Sequence, residues 1–519
     1  MKINSLLYVF SYVGHIVPRT MLYTKEDLTR TMNQQMKVGE TPIYSVKGLG
    51  TGRTLVLGLQ HMFAMFGATV VVPLITGLDV STTLLFAGIG TLLFHLITGK
   101  KVPAFLGSSF AFLGGYAAIA PLNADGSSSA LLPYACFGVA CAGLLYLVLA
   151  ALFKAFGARK VMRYFPPVVT GPIIIAIGLN LAPSALNNIM VPATNEAGEP
   201  ILSAAGKPVL QGTWWLAIVA ILIVVICNIW GRGMIKIIPI LLGVIGSYLC
   251  AAIAGLIDFT PVAQAKLIGI PIHYEKTVFS IFTGGNLDSS LLVSSVITIV
   301  PIALATMMEH IGDISAISST VGVNYIKSPG LHRTLTGDGL ATTIASLFGA
   351  PANTTYGENT GVLTLTKVYD PLVIRIAAYF AIILSFCPKF AAVIEVMPSA
   401  TIGGISLVLY GMISAVGVRN LIETHVDFSK SRNVLIAAMI LVLSIGISYS
   451  NVGAINISIG SASISLSGLA VGSLVGIILN AVLPGKDYNF IDDEPNATGV
   501  DFEIIHGDSV IEELEKESK

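Results

Sequence analysis

Long apolar stretches follow one another along this chain, and short polar connections separate them. Residues 54–75 and 214–230, for example, contain no Asp, Glu, Lys or Arg. A helix needs about 20 predominantly apolar residues to cross the hydrocarbon core of a bilayer. The pattern predicts fourteen membrane segments, at residues 54–76, 82–98, 104–122, 131–153, 164–184, 213–230, 237–257, 291–320, 332–349, 353–366, 371–393, 397–418, 433–450 and 464–484.

The third and tenth segments are short, polar and rich in Gly, Ser or Thr. Gly107 to Phe112 and Asn353 to Gly357 suit extended chain better than helix. Irregular backbone at membrane depth is tolerated only where protein or a cavity satisfies its polar groups. We therefore expect these segments to pair as two short antiparallel strands near the midplane, each leading into a half-helix.

Three features of the first half recur seven segments later. The pairs are Gln60-His61 with Glu309-His310, Ser108-Ser109-Phe110 with Thr354-Thr355-Tyr356, and Pro166 and Gly171 with Pro398 and Gly403. Because an odd number of spans separates the copies, they face opposite sides of the membrane. Such an inverted-topology repeat is typical of secondary transporters. The predicted fold class is an all-α polytopic membrane protein built as a seven-plus-seven inverted repeat.

Composition supports a lipid bilayer as the surroundings of the chain. Of its residues, 54% are hydrophobic and 11% are charged, whereas soluble domains carry about 25% charged residues. The formal net charge is zero, so nothing suggests a nucleic-acid partner. The five cysteines lie in apolar runs without a CxxC pair, which predicts neither disulfides nor a zinc site. We expect no metal and no cofactor.

Basic residues give the orientation, because cytoplasmic loops of membrane proteins are enriched in Lys and Arg. With fourteen segments and a cytoplasmic N-terminus, sixteen Lys and Arg residues fall in cytoplasmic loops and four in the opposite loops. The ratio predicts that both termini are cytoplasmic. We expect the cell inner (plasma) membrane as the location.

Several ionisable residues lie inside predicted segments, where a charge costs about 2.5–3.5 kcal/mol on insertion scales. Glu309, His310 and Asp313 are in segment eight, and Glu358 is in segment ten. At 100° per residue, Glu309 and Asp313 share one helical face. Such acids either act on a substrate or form structural pairs between helices. The structural role is favoured for Asp338, which lies near the basic edge of segment nine.

The two irregular segments would bring a carboxylate, aromatic rings and backbone N–H groups together. Phe110 and Tyr356 could stack on the two faces of a flat ring. Glu358 and Glu309 could accept hydrogen bonds from its N–H edges, while backbone N–H groups donate to its carbonyls. The arrangement suits a flat, polar, uncharged ring.

At this point the sequence resembles the nucleobase–ascorbate transporter family (nucleobase:cation symporters), and within it the bacterial uracil permeases. The run from Glu358 to Lys367 fits the family signature of Gln, Glu or Pro, then Asn, any residue, Gly, four residues, Thr, and a basic residue or Gly. Leu59 to Gly67, Pro103 to Phe112 and Asn353 to Asn359 match the family as well. The resemblance covers about residues 53–484.

The resemblance implies a core domain at residues 53–160 and 290–395, and a gate domain at residues 161–260 and 396–484. Residues 1–52 would be a cytoplasmic N-terminal segment and residues 485–519 an acidic cytoplasmic tail. Family members commonly form homodimers through the gate domain. The implied substrate-binding residues are Phe110, Glu309, Tyr356, Gly357 and Glu358, and the implied proton-coupling and site-organising residues are His61, His310, Asp313 and Asn359.

The implied function is import of uracil, or a related nucleobase, by proton symport through alternating access, without enzymatic activity. Glu358 bears on the substrate, because many purine carriers of the family have Gln at this position. A carboxylate only accepts hydrogen bonds, which suits the two N–H donors of uracil. Some uracil permeases have His where this chain has Asp313, so the coupling residue stays open, as does sodium in place of protons. A purine permease for xanthine or uric acid is the alternative.

Three other classes of protein are less consistent with the sequence. Anion transporters of similar architecture usually add a soluble C-terminal domain, and two acids in the site would repel an anion. A membrane-embedded enzyme is disfavoured because neither an HExxH motif nor a GxSxG elbow occurs. A channel is disfavoured because the inverted repeat implies alternating access.

Overall fold

The computed structural model describes residues 38–123, 127–157, 160–161, 163–193, 201, 203, 208–232, 234–283, 287–459 and 462–485. Residues 1–37 of the predicted N-terminal segment and residues 486–519 of the predicted acidic tail lie outside these residues. The helices are α1 Thr51–Thr76, α2 Val80–Ile97, α3 Leu113–Ile119, α4 Leu132–Phe156, α5 Pro167–Ile189, α6 Trp215–Trp230, α7 Met234–Ile237, α8 Pro239–Ile253, α9 Thr260–Gln264, α10 Phe279–Thr283, α11 Ser289–Ile299, α12 Ala303–Val321, α13 Leu331–Leu347, α14 Glu358–Thr366, α15 Pro371–Ser385, α16 Pro388–Glu395, α17 Ser399–Glu423, α18 Ser431–Ser448 and α19 Gly468–Val482. The strands are β1 Leu106–Ser108, β2 Asn353–Thr355, β3 Ala454–Ile459 and β4 Ala462–Ser467.

Within the described residues, seven helices are long and apolar enough to cross a membrane, or eight if the bent pair α15 and α16 is one span. Shorter apolar helices lie in segments three, six, seven and fourteen. Each of the fourteen predicted segments coincides with a helix, or with a strand followed by a half-helix. The chain is therefore a helical membrane protein, and the number of segments that cross the bilayer stays a prediction.

Proline interrupts two of the predicted segments. In segment eight, a 3₁₀ turn at Val300–Ile302 containing Pro301 joins α11 to α12. In segment eleven, α15 and α16 meet at an angle of 87°, and Pro388 begins the second helix. A proline has no N–H to donate and its ring crowds the preceding turn. Segment eleven is thus a helix of 15 residues followed by a second helix that is nearly perpendicular to it.

The short strands β1 and β2 pair antiparallel, with Leu106 opposite Thr355 and Ser108 opposite Asn353. This confirms the strands predicted in segments three and ten. A threonine from the preceding helix holds each strand. Thr91 in α2 accepts a hydrogen bond from the Leu106 N–H at 2.9 Å, and Thr342 in α13 accepts one from the Asn353 N–H at 3.2 Å. The two halves therefore hold their strands in the same way.

The same packing contacts occur in both halves of the chain. When two segments pack on each other, the two segments that lie seven places away from them also pack on each other. Segment four (α4) packs on nine (α13), as eleven (α15) packs on two (α2). Segment six (α6) packs on seven (α8), as thirteen (α18) packs on fourteen (α19). Segments five and twelve, α5 and α17, pack on each other, as do the two strand segments. These matching contacts confirm the inverted repeat that was predicted from three short sequence similarities.

A second β-hairpin lies where the sequence analysis placed a connection and the start of segment fourteen. β3 and β4 pair antiparallel between α18 and α19, with Ala454 opposite Ser467. Apolar residues alternate with polar ones through residues 455–466, and this period of two is the usual signal for a strand. Segment fourteen was predicted to begin at residue 464, but the helix begins at Gly468 because the four preceding residues belong to β4. β4 also packs against α11.

Candidate functional site

The strand pair has the start of one helix at each of its two ends, because Ser108 at the end of β1 lies opposite Asn353 and Thr355 at the end of β2 lies opposite Leu106. After β1 the chain enters α3 through a 3₁₀ turn at Phe110–Phe112. After β2 it passes Tyr356 and Gly357 and enters α14. The first N–H groups of a helix have no acceptor within that helix. The backbone at the start of α14 can therefore donate hydrogen bonds to a bound polar molecule.

A cavity of about 280 Å³ lies beside the start of α14. Glu309 and Asp313 of α12 line it together with Gly357 and with Ile174 of α5. The opposite wall belongs to α17 and consists of Met412, Ile413, Ala415, Val416 and Arg419. Three residues that the sequence analysis singled out, two acids and one glycine, thus share one cavity.

The two acids of α12 occupy successive turns of the same helical face. Asp313 also lies against the start of α14, since a Cβ added to Gly357 would be 3.0 Å from its Oδ1 atom. Gly357 has an ordinary φ of −65°, so its lack of a side chain matters here for close approach rather than for conformation. The glycine allows a carboxylate of α12 to reach the backbone beside Glu358.

Glu358 is the first residue of α14, and its side chain lies outside the described part of the chain. The next residue, Asn359, is buried and approaches α1. Its Nδ2 group lies 3.3 Å from the carbonyl oxygen of His61 and 3.4 Å from His61 Nδ1. His61 is itself fully buried. The pair joins the helix that carries Glu358 to segment one.

His310 does not line the cavity with Glu309 but takes part in a buried polar network behind it. Its Nδ1 atom lies 2.8 Å from Oδ2 of Asp338 in α13. The Asp338 carboxylate also accepts hydrogen bonds from the Thr355 hydroxyl at 2.8 Å and from the Thr355 N–H at 3.2 Å. Both the histidine and the aspartate side chains have 0% exposure. The network connects α12, α13 and β2.

The two aromatic residues proposed to stack on a ring have different surroundings. Phe110 contacts Tyr410 of α17 edge-on, with ring centroids 5.6 Å apart and an interplanar angle of 78°. The Tyr356 hydroxyl donates a hydrogen bond to the Ser108 carbonyl at 2.8 Å, and its ring lies over Gly107. The Tyr356 side chain is therefore held against β1.

A second cavity, of about 380 Å³, lies farther along α5 and shares no lining residue with the first. Asn180 and Ser184 of α5 line it, opposite the small residues Gly114 and Ala118 of α3. Phe110 is followed directly by Ala111, which also lines this cavity. Between the cavities α5 and α17 touch, because a Cβ on Gly178 would be 2.2 Å from the Tyr410 carbonyl oxygen.

Tyr410 and Arg419 are not among the site residues predicted from the sequence, and the role predicted for Asp338 is structural. Glycines spaced along α5 and α17 were a signal that these helices approach closely, and such contact brings α17 to the cavity. Among the described residues, no group of three or more His, Cys, Asp and Glu side chains is placed to hold a metal ion.

A family model described as "Permease family" matches residues 52–453 of the chain. Of the curated proteins, the uracil permease of Bacillus subtilis (strain 168) is 40% identical, over 82% of this chain and 91% of its own length. The uracil permease of Bacillus caldolyticus is 41% identical, over 86% and 95%. That of Escherichia coli (strain K12) is 37% identical, over 83% and 91%.

Solved structures share the fold at much lower sequence identity. The transmembrane domain of the cyanobacterial bicarbonate transporter BicA is 15% identical, with a TM-score of 0.56, and the match covers 85% of this chain and 99% of that one. The murine anion transporter Slc26a9 in the inward-facing state is 12% identical, with a TM-score of 0.57, over 92% and 74%. At these identities the likeness concerns architecture.

Proposed function

Since this chain belongs to the permease family that contains the bacterial uracil permeases, we propose that it carries uracil across the membrane. The family consists of permeases, so the chain is a transporter and not an enzyme. The observation that carries the proposal is the single cavity where Glu309, Asp313 and Gly357 meet beside the start of α14. Its volume of about 280 Å³ is close to the lower limit for small-molecule pockets, about 300 Å³.

The donors and acceptors around the cavity suit a pyrimidine. Carboxylates of Glu309 and Glu358 accept from the two N–H groups of uracil, while backbone N–H groups at the start of α14 donate to its carbonyls. Phe110 supplies an aromatic face. A purine such as xanthine or uric acid remains the second candidate, because it offers N–H and C=O groups of the same kind.

We further propose that uracil moves together with protons and that Glu309 is the main proton site. Glu309 and Asp313 line the cavity on successive turns, so a proton and the substrate would bind within one space. A neutralised acid can pass through the apolar barrier at far lower cost than a charged one. His310 and Asp338 form a second pair of titratable groups close by, and they are the alternative route for the proton.

Alternating access is the proposed mechanism, with segments one to four and eight to eleven as core and the remaining segments as gate. Two separate cavities lie along α5, and the contact between Phe110 of the core and Tyr410 of the gate lies between them. A relative movement of α3 and α17 would open the second cavity to the first, which contains the proposed site. Phe110 would thus serve both as stacking surface and as part of the barrier.

The same proposal includes the bacterial inner membrane, cytoplasmic termini and a homodimer formed through the gate domain. The asymmetry of Lys and Arg supports the orientation. The inner membrane and the dimer follow from the resemblance to the bacterial members of the family.

Uptake of radiolabelled uracil by proteoliposomes, with and without an imposed proton gradient, tests the proposal. We expect accumulation when the outside is acidic and only equilibration without a gradient. Unlabelled uracil should compete at lower concentrations than xanthine. If a sodium gradient drives accumulation, sodium replaces the proton as the coupling ion in this proposal. If xanthine competes at lower concentrations than uracil, a purine replaces the pyrimidine as the substrate. Failure to take up either base under any gradient would overturn it.

A further inference from the structure

The chain before α1 is bound to the helices that carry the proposed substrate residues. Residues 38–50, here called the N-terminal strap, run beside the connection between α14 and α15. Ile43 forms a parallel bridge with Val368, in which the Ile43 N–H donates to the Lys367 carbonyl at 2.8 Å and the Tyr369 N–H donates to the Ile43 carbonyl at 2.8 Å. The Gly39 N–H donates to the Thr366 carbonyl at 2.7 Å. The strap thus holds the C-terminal end of α14.

The strap also reaches the end of α12, through a single side chain. The hydroxyl of Tyr44 donates a hydrogen bond to the carbonyl of Val321, at 2.8 Å. Val321 is the last residue of α12, whose last carbonyls have no partner within the helix. The Tyr44 ring lies against Tyr369, with centroids 5.5 Å apart. Tyr44 therefore joins the end of α12, which carries Glu309, to the connection that follows α14, which carries Glu358.

A third attachment fixes the strap to the start of α15. Asp370 caps α15 by accepting from the Leu372 N–H with Oδ1 at 2.8 Å, and its Oδ2 accepts from the Val46 N–H at 2.9 Å. Beneath these bonds lies a separate apolar cluster, consisting of Ile43, Val46, Leu49, Leu57, Val368 and Val373. A hydrogen bond to a carboxylate, backbone hydrogen bonds and apolar burial together make the strap an integral layer of the fold.

The lengths of the helices indicate what this layer does. α14 has only nine residues, so Glu358 lies about 12 Å from Thr366 at 1.5 Å per residue. Its N-terminal end is placed by the strand pair and its C-terminal end by the strap. In α12, Val321 lies about 18 Å from Glu309 by the same measure. A displacement of either helix end along its axis would change the spacing between the two acids.

We propose that the strap is a positioning element of the substrate site, with Tyr44 as its key side chain. It holds the ends of α12 and α14 in a fixed relative position, and so sets the spacing between Glu309 and the start of α14. This inference rests on the proposed uracil site and adds to it a residue that does not touch the substrate.

Tyr44→Phe tests the inference, because it removes the hydroxyl and keeps the ring. The loss of one hydrogen bond predicts a rise of about threefold to tenfold in the uracil Kd, measured by calorimetry on the purified full-length protein. Tyr379→Phe, at an exposed site in α15, is the matched control and should leave the Kd unchanged. An unchanged Kd in Tyr44→Phe would overturn the inference.

A double-mutant cycle distinguishes positioning from general stability. Sites without shared partners usually contribute additively, whereas coupled sites do not. Glu309→Asp shortens the acid and keeps its charge. If Tyr44 acts through the register of α12, the two substitutions together should raise the Kd by a factor that differs at least threefold from the product of their separate factors. If the two substitutions act additively, Tyr44 only stabilises the fold and the positioning role is wrong.

Hydrogen exchange supplies a readout that needs no ligand. In Tyr44→Phe, amides in the last turn of α12 and in α14 should exchange at least threefold faster than in the wild type, while those of α18 should not change. If wild-type protein binds no uracil but shows this pattern, the proposed substrate is wrong and the positioning role stands. If wild-type protein binds uracil and the exchange rates are equal, the positioning role is wrong and the substrate stands.

Discussion

Asp338 shows how an ionisable side chain is accommodated inside a membrane segment. Its carboxylate has 0% exposure and receives hydrogen bonds from the hydroxyl and the N–H of Thr355 as well as lying 2.8 Å from His310 Nδ1. A buried acid without such partners would carry a large desolvation cost. Asp338 therefore stabilises the strand pair, whereas Glu309 and Asp313 line a cavity.

Substitution of Phe110 tests whether its ring faces the substrate. Phe110→Ala should weaken uracil binding by about 1–3 kcal/mol, by analogy with base stacking on aromatic side chains, and Phe110→Tyr should cost less. Calorimetry on purified protein measures both. Phe282→Ala, at an exposed phenylalanine of α10, is the control. Wild-type affinity in Phe110→Ala would mean that the ring serves only the contact with Tyr410.

Substitution of Glu358 tests the choice of substrate. Glu358→Gln replaces a charge-assisted hydrogen bond by a neutral one and turns an amide N–H towards an N–H of the base. The uracil Kd should rise more than tenfold in competition assays. Glu275→Gln, at an exposed acid outside the site, should have no effect. Unchanged competition by uracil in Glu358→Gln would show that this side chain does not face the ring.

Substitution of Glu309 tests proton coupling. Glu309→Gln imitates the protonated acid permanently, so the variant should still exchange uracil in counterflow. It should not concentrate uracil when a proton gradient is imposed on the same vesicles. Asp313→Asn should show a milder defect if it only tunes its neighbour. Accumulation by Glu309→Gln would assign the proton to Asp313 or to the His310–Asp338 pair.

Sequence reasoning singled out those cavity residues whose type is unusual for their segment. Glu309 and Asp313 stand out because charge is rare among apolar residues, and Gly357 was implied by the resemblance to the family. Arg419 does not stand out, since basic residues are common near the ends of membrane helices, and Tyr410 is a single aromatic residue within an apolar segment. The position of Arg419 at the cavity and the contact of Tyr410 with Phe110 depend on how α17 packs against parts of the chain that are distant in sequence.

At the scale of elements, close contact between α5 and α17 depends on glycine. A Cβ on Gly178 would lie 2.2 Å from the Tyr410 carbonyl oxygen, and one on Gly417 would lie 2.7 Å from the Gly171 carbonyl oxygen. Carbonyl oxygens belong to the backbone and cannot turn aside as a side chain can. The two helices can therefore approach only while these positions carry no side chain.

Gly178→Ala should force α5 and α17 apart. Overpacking of this kind costs about 1–3 kcal/mol, so thermal unfolding of the purified variant should begin several degrees lower. Gly446→Ala in α18 is the matched control, because nothing lies within 4 Å of its Cβ position. It should be neutral or slightly stabilising, since alanine favours helix over glycine. Equal stability of both variants would contradict the close contact.

The irregular elements divide into those that local sequence indicates and those that it does not. The strands in segments three and ten were predictable because small polar residues interrupt apolar segments there. The hairpin of β3 and β4 was not predicted although its period of two is visible, since β3 falls in a predicted connection and the end of β4 adjoins an apolar helix and falls in the predicted segment fourteen. The bend between α15 and α16 is indicated by Pro388 but its angle depends on packing.

At the scale of the whole molecule, the distribution of basic residues predicts which ends of the helices face the cytoplasm. Cysteines placed at Ser203 and Ser431 should react with a membrane-impermeant thiol reagent from opposite sides, periplasmic and cytoplasmic respectively. Both positions are exposed. The five native cysteines would first be replaced by alanine or serine, and that background serves as the control. Labelling of both positions from one side would overturn the segment count.

Corresponding helices of the two halves have matching packing partners. Under the proposed alternating access, the conformation that opens to the other side of the membrane can therefore be derived from this one. If the first half adopts the arrangement of the second and the second that of the first, the same set of helix contacts is formed with the access side reversed. Two such states would be nearly equal in free energy. Gln60 stands where the second half has Glu309, so under the proposed coupling protonation of Glu309 would act on one half only. A single proton could then shift the populations of two otherwise balanced states.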